Sequence, residues 1–412
     1  MKLNRQDCIA LDAQDQLAAY REKFSLPESE IYLDGNSLGA MPSHLPQRMQ
    51  DAVASEWGNG LIRSWNDAGW ISLPQRVAAK IARLIGAGDN EVMVGDSTSV
   101  NLFKALASAL RLNPGRKVIL TERGNFPTDL YIAQGIADLF DAQIRYVESD
   151  EAAVLAALDR DVAVLMLTHV NYRSGRIYDM QKITASAHAA GALCIWDLAH
   201  SAGAVHVELD AAKADMAVGC GYKYLNGGPG APAFVYVASR HLDQVRQPLS
   251  GWHGHARPFE FVQEYQPAAG INRMQCGTPP LLSMIALDAA LDVFDGLDMQ
   301  QLRSKSRALG DLFIRLVDEK LADYGFGIAS PRDSALRGSQ VALTHPQGYA
   351  IVQALIARGI TGDFRMPDIL RFGFAPLYVR FVDVYDTVAA IAEIMAGSEW
   401  NQEKFLTKKA VT

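Results

Sequence analysis

From about Leu84 to Val237, short β-branched or apolar runs alternate with stretches whose apolar residues recur at helical spacing. RKVILTE, QIRYVES, VAVLMLTHV, GALCIWDLAH, ADMAVGCG and GAPAFVYVA each predict a buried strand. DLYIAQGIADLF and MQKITASAHAAG, lying between them, predict helices. This alternation predicts an α/β fold: a mostly parallel sheet wrapped by helices, with ligands bound beyond the carboxyl ends of its strands. After GTPPLLSMIALDAALDVFDGL the pattern changes. A long helical stretch to about Tyr324, then GSQVALTHP, GYAIVQALIARG, ILRFGFAPLYV and DVYDTVAAIAEIMAG, predicts a smaller α+β unit. The expected division is an N-terminal segment, 1–40, packed with the small unit, a large domain over 41–290 and a small domain over 291–412. QPLSGWHGHARPFEFVQEYQPAAGINRMQCGTPP is rich in turn residues and predicts a long functional loop.

Composition narrows the class. A chain of 412 residues suggests about two domains. Its net charge of −7 offers no basic footprint for nucleic acid. The four cysteines, Cys8, Cys194, Cys220 and Cys276, have no paired spacing, which points to a reducing compartment. The first residues, through about Phe24, read as a charged helix rather than a signal peptide, and no apolar run reaches the roughly 18 residues of a membrane span. The expectation is a soluble cytoplasmic protein.

Candidate chemistry collects at the ends of the expected strands. Asp197 stands where an apolar strand leaves the sheet, with His200 three residues on; an N-cap is the plainer reading of that aspartate. Lys223 is the one lysine between Met216 and Val237, in a glycine-rich, uncharged turn after the next strand. A lysine withdrawn from water has a lowered pKa and serves as an amine nucleophile. An acid on one strand end and a lysine beyond the next suit pyridoxal 5′-phosphate, whose aldehyde the lysine holds and whose ring nitrogen the acid keeps protonated. Ser97, Thr98 and Ser99 precede a clear helix, whose free N–H groups suit a phosphate. Phe126, ahead of Asp129, is placed to stack on a flat cofactor. His253 and His255 have metal-like spacing but no third ligand nearby, so a metal site is not expected.

Seven segments in order, YLDGNSLG (32–39), STSVN (97–101), NFPTD (125–129), WDLAHSAG (196–203), GYKYLNGGPG (221–230), GWHGH (251–255) and LRFGFAPLY (370–378), make the chain resemble the kynureninases. These are pyridoxal-phosphate enzymes of fold type I, related to aspartate aminotransferase. The resemblance covers nearly the whole chain and implies a seven-stranded large-domain sheet and a homodimer with shared active sites. It also implies hydrolysis of L-kynurenine, and of its 3-hydroxy derivative, to anthranilate or 3-hydroxyanthranilate and L-alanine, in tryptophan breakdown and NAD biosynthesis. By that resemblance Lys223 matches the cofactor-linked lysine and Asp197 the partner of the ring nitrogen. Thr98 and Ser99 match phosphate contacts, with Phe126 over the ring and Asp129 beside it. Thr168, His200 and Tyr222 match further cofactor contacts, and Tyr222 and His200 are the candidates for proton movement. Trp252 and Thr278 match a pair reaching in from the neighbouring subunit, and Thr278 stands where some relatives carry asparagine. Arg371 matches the arginine that binds the substrate α-carboxylate, and Trp65 is a candidate for holding the aryl ring. Rivals on the same fold are an aminotransferase and a cysteine desulfurase, though no cysteine follows Cys276 to serve the latter. A non-catalytic scaffold would have no use for both Lys223 and Asp197. A nicotinamide dehydrogenase would need a glycine fingerprint after the first strand, which is missing.

Overall fold

The computed structural model describes residues 3–408. Near its N-terminus lie helix α1 (Arg5–Ala13) and the two-residue strand β1 (Ile31–Tyr32), followed by helix α2 (Leu73–Leu84). The central sheet then forms in sequence: β2 (Val92–Val94), α3 (Thr98–Leu112), β3 (Val118–Glu122), α4 (Pro127–Phe140), β4 (Gln143–Val147), β5 (Val162–Thr168), α5 (Met180–Ala189), β6 (Leu193–Asp197), β7 (Met216–Gly219) and β8 (Phe234–Val237). Its seven strands are ordered β2-β8-β7-β6-β5-β3-β4. The strands from β7 to β4 are parallel, and β8 runs antiparallel to both of its neighbours.

Successive strand residues point to opposite faces, so each strand feeds two core layers. Leu165, Leu167, Cys194 and Trp196 enter one layer, while Val164, Met166 and Ile195 enter the other. Burial on both faces explains why these strands read as continuous apolar runs. The expected alternation is present, with one strand added: β2 at the sheet edge is three residues long, too short to show a period.

The C-terminal part follows helix α6 (Leu281–Leu291). Helix α7 (Met299–Lys320), strands β9 (Gly327–Ile328) and β10 (Gln340–Thr344), helix α8 (Gly348–Ala357), strands β11 (Ile360–Thr361), β12 (Asp363–Arg365) and β13 (Ile369–Gly373), and helix α9 (Phe381–Ala396) complete it. Four of these strands form an antiparallel sheet ordered β9-β10-β13-β12. The chain's beginning is tied to this part. β1 pairs in parallel with β11, and the Asp12 carboxylate accepts the Phe381 and Val382 amides at 2.6 and 3.0 Å, capping α9.

Two expectations need adjustment in detail. The N-terminal helix stops at Ala13 and resumes as a 3-10 turn over Ala18–Lys23, because Asp15 turns inward to a buried ion pair with Lys305 at 2.6 Å. The long segment expected to be a loop carries only two short 3-10 turns, Trp252–Gly254 and Gly270–Met274, before α6 begins. Among the described residues no helix is long and apolar enough to cross a membrane.

Candidate active site

The parallel strands deliver two site residues side by side: β5 ends on Thr168 and β6 on Asp197, paired in register, and Asp197 is also paired with Val218 of β7. Asp197 is buried, and its Oδ1 accepts the Ala199 amide at 2.7 Å. Asp129, in the first turn of α4, meets it there; the proline at the start of α4 needs no amide partner and sets the helix direction. Burial pushes both carboxyls above the usual range, each raises or lowers the other through a shared hydrogen bond, and the Lys223 ammonium pulls both down. Asp129 Oδ2 is buried with no hydrogen-bond partner. Asn125 ties these elements together: its Oδ1 accepts from the Thr168 hydroxyl and, at 2.7 Å, from the Phe126 amide.

Lys223 follows β7. Its Nζ lies 3.4 Å from His200 Nε2 and 5.8 Å from the ring centres of both Phe126 and Tyr222. His200 Nε2 is also 3.1 Å from the Asn36 carbonyl oxygen. Burial, then the charges of Lys223 and Arg371, hold the His200 imidazole well below its ordinary pKa, so it is neutral near pH 7. Burial pushes the Tyr222 hydroxyl up, so it stays protonated. The backbone at Lys223 is held from outside the sheet: the Gly39 amide donates to the Tyr222 carbonyl at 2.8 Å. Only glycine fits at 39, because a Cβ there would stand 2.2 Å from the Lys223 carbonyl oxygen.

Thr98 and Ser99 open α3, a helix of 15 residues, where first-turn amides have no helical acceptor. Ser97 caps it by accepting the Val100 amide at 3.3 Å. Beneath this turn, fully buried Lys104 bonds Asp96 and the Met274 carbonyl, each at 2.7 Å.

Arg371, on β13, is 1% exposed and sits across from Asp363 of β12. Its Nε donates to Asp363 Oδ1 at 2.8 Å, and Nη2 donates to Asp363 Oδ2 and, at 2.9 Å, to Ser37 Oγ. Nη1 donates to the Tyr172 carbonyl at 2.7 Å, leaving one Nη1 hydrogen uncommitted. With its amide turned, Asn36 Oδ1 accepts from Arg371 Nε at 2.8 Å. Asn36 thereby links Arg371 to His200 and, through it, to Lys223. Asp363, Asn36, Ser37 and Asn125 were not singled out from sequence. The signal for Asp363 was an acid and a base facing each other across a hairpin, visible only once its register is known.

Trp65, Trp252 and Thr278 gather elsewhere. They line a cavity of about 460 Å³ with His253, Ile62 and Phe259, and none of Lys223, Asp197, His200 or Arg371 is in its wall. Trp65 stacks on His253 at 6.0 Å between ring centres. His253 Nε2 is buried and unpartnered. Trp252, 43% exposed, packs edge-on against His253 and Phe259 and donates its indole N–H to the Pro258 carbonyl. Within one chain, then, the thirteen expected site residues fall into a polar group around Lys223, a phosphate-type turn, the Arg371 cluster and this aromatic cleft.

Residues 302–391 match the model of the kynureninase C-terminal domain, and residues 62–217 that of the DegT/DnrJ/EryC1/StrS aminotransferase family. The chain is 54% identical to a kynureninase of Pseudomonas fluorescens and 52% identical to one of Burkholderia pseudomallei strain K96243, in each case over 99% of both chains. In fold it is similar to an apo cysteine desulfurase from Thermococcus onnurineus NA1, with a TM-score of 0.79, 18% identity, and 92% and 98% of the two chains covered.

Proposed function

The chain belongs to the kynureninase family, and from that membership we propose that Lys223, Asp197, Asp129 and Arg371 carry its reaction. That reaction is the hydrolysis of L-kynurenine to anthranilate and L-alanine with pyridoxal phosphate as cofactor. Three features here fit that cofactor. The Lys223 amine lies between two aromatic rings and beside a neutral imidazole; Asp129 Oδ2 is buried without a partner; and α3 opens with unpaired amides. When bound, the cofactor offers an aldehyde for the substrate amine and a ring that takes up electrons from bonds breaking at the α- and β-carbons.

The chain's own groups supply the rest. Lys223 would hold the cofactor's aldehyde, and its amine is the group placed to move the substrate α-proton. Asp197 with Asp129 would face the ring nitrogen as its anionic partner, and Thr168 would complete the polar surround. Phe126 would lie against the ring, and the first turn of α3, at Thr98 and Ser99, would take the phosphate. Arg371 anchors the substrate carboxylate. Its bonds to Ser37 and to the Tyr172 carbonyl go to neutral acceptors, which a carboxylate displaces more readily than it displaces Asp363. At the γ-carbonyl, neutral His200 accepts a proton from the attacking water, and the protonated Tyr222 hydroxyl donates one. Trp65, which lines the separate aromatic cleft with Trp252 and Thr278, packs on the aryl ring of substrate bound in a second copy of the chain.

We assign Trp252 and Thr278 to the active site of a second copy of the chain, in a homodimer. Support comes from the exposed apolar side chains around their cleft: Ile62 is 77% exposed, Phe259 60% and Phe261 77%. The domain division at 40 and 290, turnover of 3-hydroxykynurenine and a role in tryptophan breakdown and NAD biosynthesis belong to the same proposal. So does a cytoplasmic location, which the four free cysteines support. The observation that carries the assignment is the Lys223 amine close enough to the buried Asp197–Asp129 pair for its charge to pull both carboxyls down. Its test is incubation with L-kynurenine and pyridoxal phosphate: anthranilate and alanine should appear in equal amounts, and a keto acid in place of alanine would overturn it.

A further inference from the structure

A cavity of about 380 Å³ lies between the strand-end loops of the large sheet and the smaller sheet, sharing no wall residue with the Lys223 cluster or the aromatic cleft. One side carries Arg173, Arg176 and Ser149, the other Pro331 and Ile369, and no acid lines it. Arg176 is committed: it donates to the Ser149 carbonyl at 2.5 Å and to the Tyr178 hydroxyl, with Glu122 at 3.8 Å behind it. Arg173 differs. It is half-buried, its Nε is buried without a partner, and among the described residues its guanidinium has no ion pair or hydrogen bond. Its backbone position is nevertheless fixed, because Asn171 Oδ1 accepts the Arg173 and Ser174 amides, both at 3.0 Å.

An uncompensated guanidinium partly withdrawn from water selects a carboxylate, which it binds through two parallel N–H bonds. The Pro331 and Ile369 wall calls for an apolar body on that anion, and the cavity holds far more than a bare oxyanion. We propose that this cavity is a subsite for an aromatic carboxylate, its natural occupant being the anthranilate that the chain's own reaction releases; the occupant's identity rests on the kynureninase reading. The neighbouring residue, Tyr172, connects the cavity to catalysis. Its carbonyl accepts from Arg371, and its ring packs edge-on against Phe126 with centres 5.2 Å apart.

The test is calorimetric titration of the holoenzyme with 2-aminobenzoate, without turnover. Two saturable events per chain are expected, one displaced by a kynurenine analogue that cannot be hydrolysed and one not. In Arg173→Gln the second event should weaken about tenfold or more while the first persists, and initial-rate kcat and KM should stay within about twofold, as for a change outside the reacting site. Arg173→Lys, which keeps the charge without the fork, should fall between. Ser149→Asp, which sets a carboxylate on the same wall, should abolish the second event and serves if Arg173→Gln fails to fold. A single event in the parent, or two undiminished events in the folded variants, overturns the proposal. Failure of the kynureninase reading would appear separately, as no anthranilate formed from L-kynurenine.

Discussion

The Lys223 pocket and the Trp65–Trp252 cleft are built by opposite means. The first draws its buried polar groups from one chain. Parallel strands carry Thr168 and Asp197 to neighbouring ends, and the loop at Asn36–Gly39 seals the site from the N-terminal side. Asp129, Thr168, Asp197 and His200 are buried and Lys223 and Tyr222 half-buried, and burial first, then neighbouring charge, sets the protonation of the carboxyls and the imidazole. The second is left open: its aromatic rings come from loops and short turns, and several of its apolar side chains face water. A buried polar cluster must be satisfied by the fold that makes it, whereas an exposed apolar cleft is satisfied by whatever docks on it. On the proposed reading, the reacting groups and the carboxylate anchor lie in the part that one chain buries, and aryl and partner recognition in the part it leaves exposed.

The sharpest way to break this contrast is Lys223→Ala. Loss of the amine should lower kcat by about 10³-fold or more, as expected for removal of a proton-transferring nucleophile. The visible absorbance of the cofactor-linked lysine should vanish with it. Normal turnover with retained absorbance would place the chemistry elsewhere. Next is Arg371→Ala, expected to raise KM about 10–100-fold, the worth of a charged hydrogen bond. It should also lower the melting temperature, because buried Asp363 loses its two-pronged partner and keeps only Arg365, at 2.7 Å, and the Ser37 hydroxyl. An unchanged KM with lowered stability would make Arg371 a structural partner of Asp363 only.

Ile62→Asp tests the open side. Ile62 is 77% exposed, so folding should be almost unaffected. A charge in a docked apolar patch should weaken dimerisation about thirtyfold, taking ~2 kcal/mol for an anchoring side chain. Sedimentation velocity reads the result. A monomeric parent, or an unchanged dimer, would show that the cleft faces no second copy.

Asp34 sharpens the closed side. Burial and the Asp363 charge raise its pKa to about 7, and its Oδ1 has no partner. The folded chain keeps this proton where the unfolded chain, with a pKa of about 3.9, has released it. Stability should therefore fall as pH rises from about 4 to about 7, then level off. Asp34→Asn, neutral throughout, should flatten that slope in denaturant titrations across the same range. A parent and a variant with the same slope would mean that Asp34 is ionised in the folded state.

The same contrast governs what could be read from the chain before its coordinates. The six strands expected from apolar runs are all present; burial on both faces writes a continuous signal into five of them, whereas β4, expected to be buried, is the sheet edge and has no fully buried residue. Lys223 and Asp197 stood out since a charge is conspicuous in such surroundings. Asp363 did not, because its meaning lies in facing Arg371 across a hairpin rather than in its neighbours along the chain. Asn36 and Asn125 were hidden likewise. Each is a short polar residue in a loop, and each acquires its role by bonding groups far away in sequence. The aromatic cleft was legible only by resemblance, since no period organises the segment that supplies Trp252 and Thr278.

The smallest expected effect, Thr278→Ala, discriminates between two uses of that cleft. If Thr278 serves a neighbouring copy's cofactor, losing one neutral hydroxyl should weaken cofactor affinity about fivefold, from ~1 kcal/mol for a single hydrogen bond. The loss should be seen only where dimer is present, and it should disappear in the Ile62→Asp background once that variant is monomeric. If Thr278 merely lines an aryl pocket of its own chain, KM should change instead, cofactor affinity should not, and the effect should persist in the monomer. Cofactor titration at two protein concentrations separates the cases, because assembly depends on concentration and a contact within one chain does not.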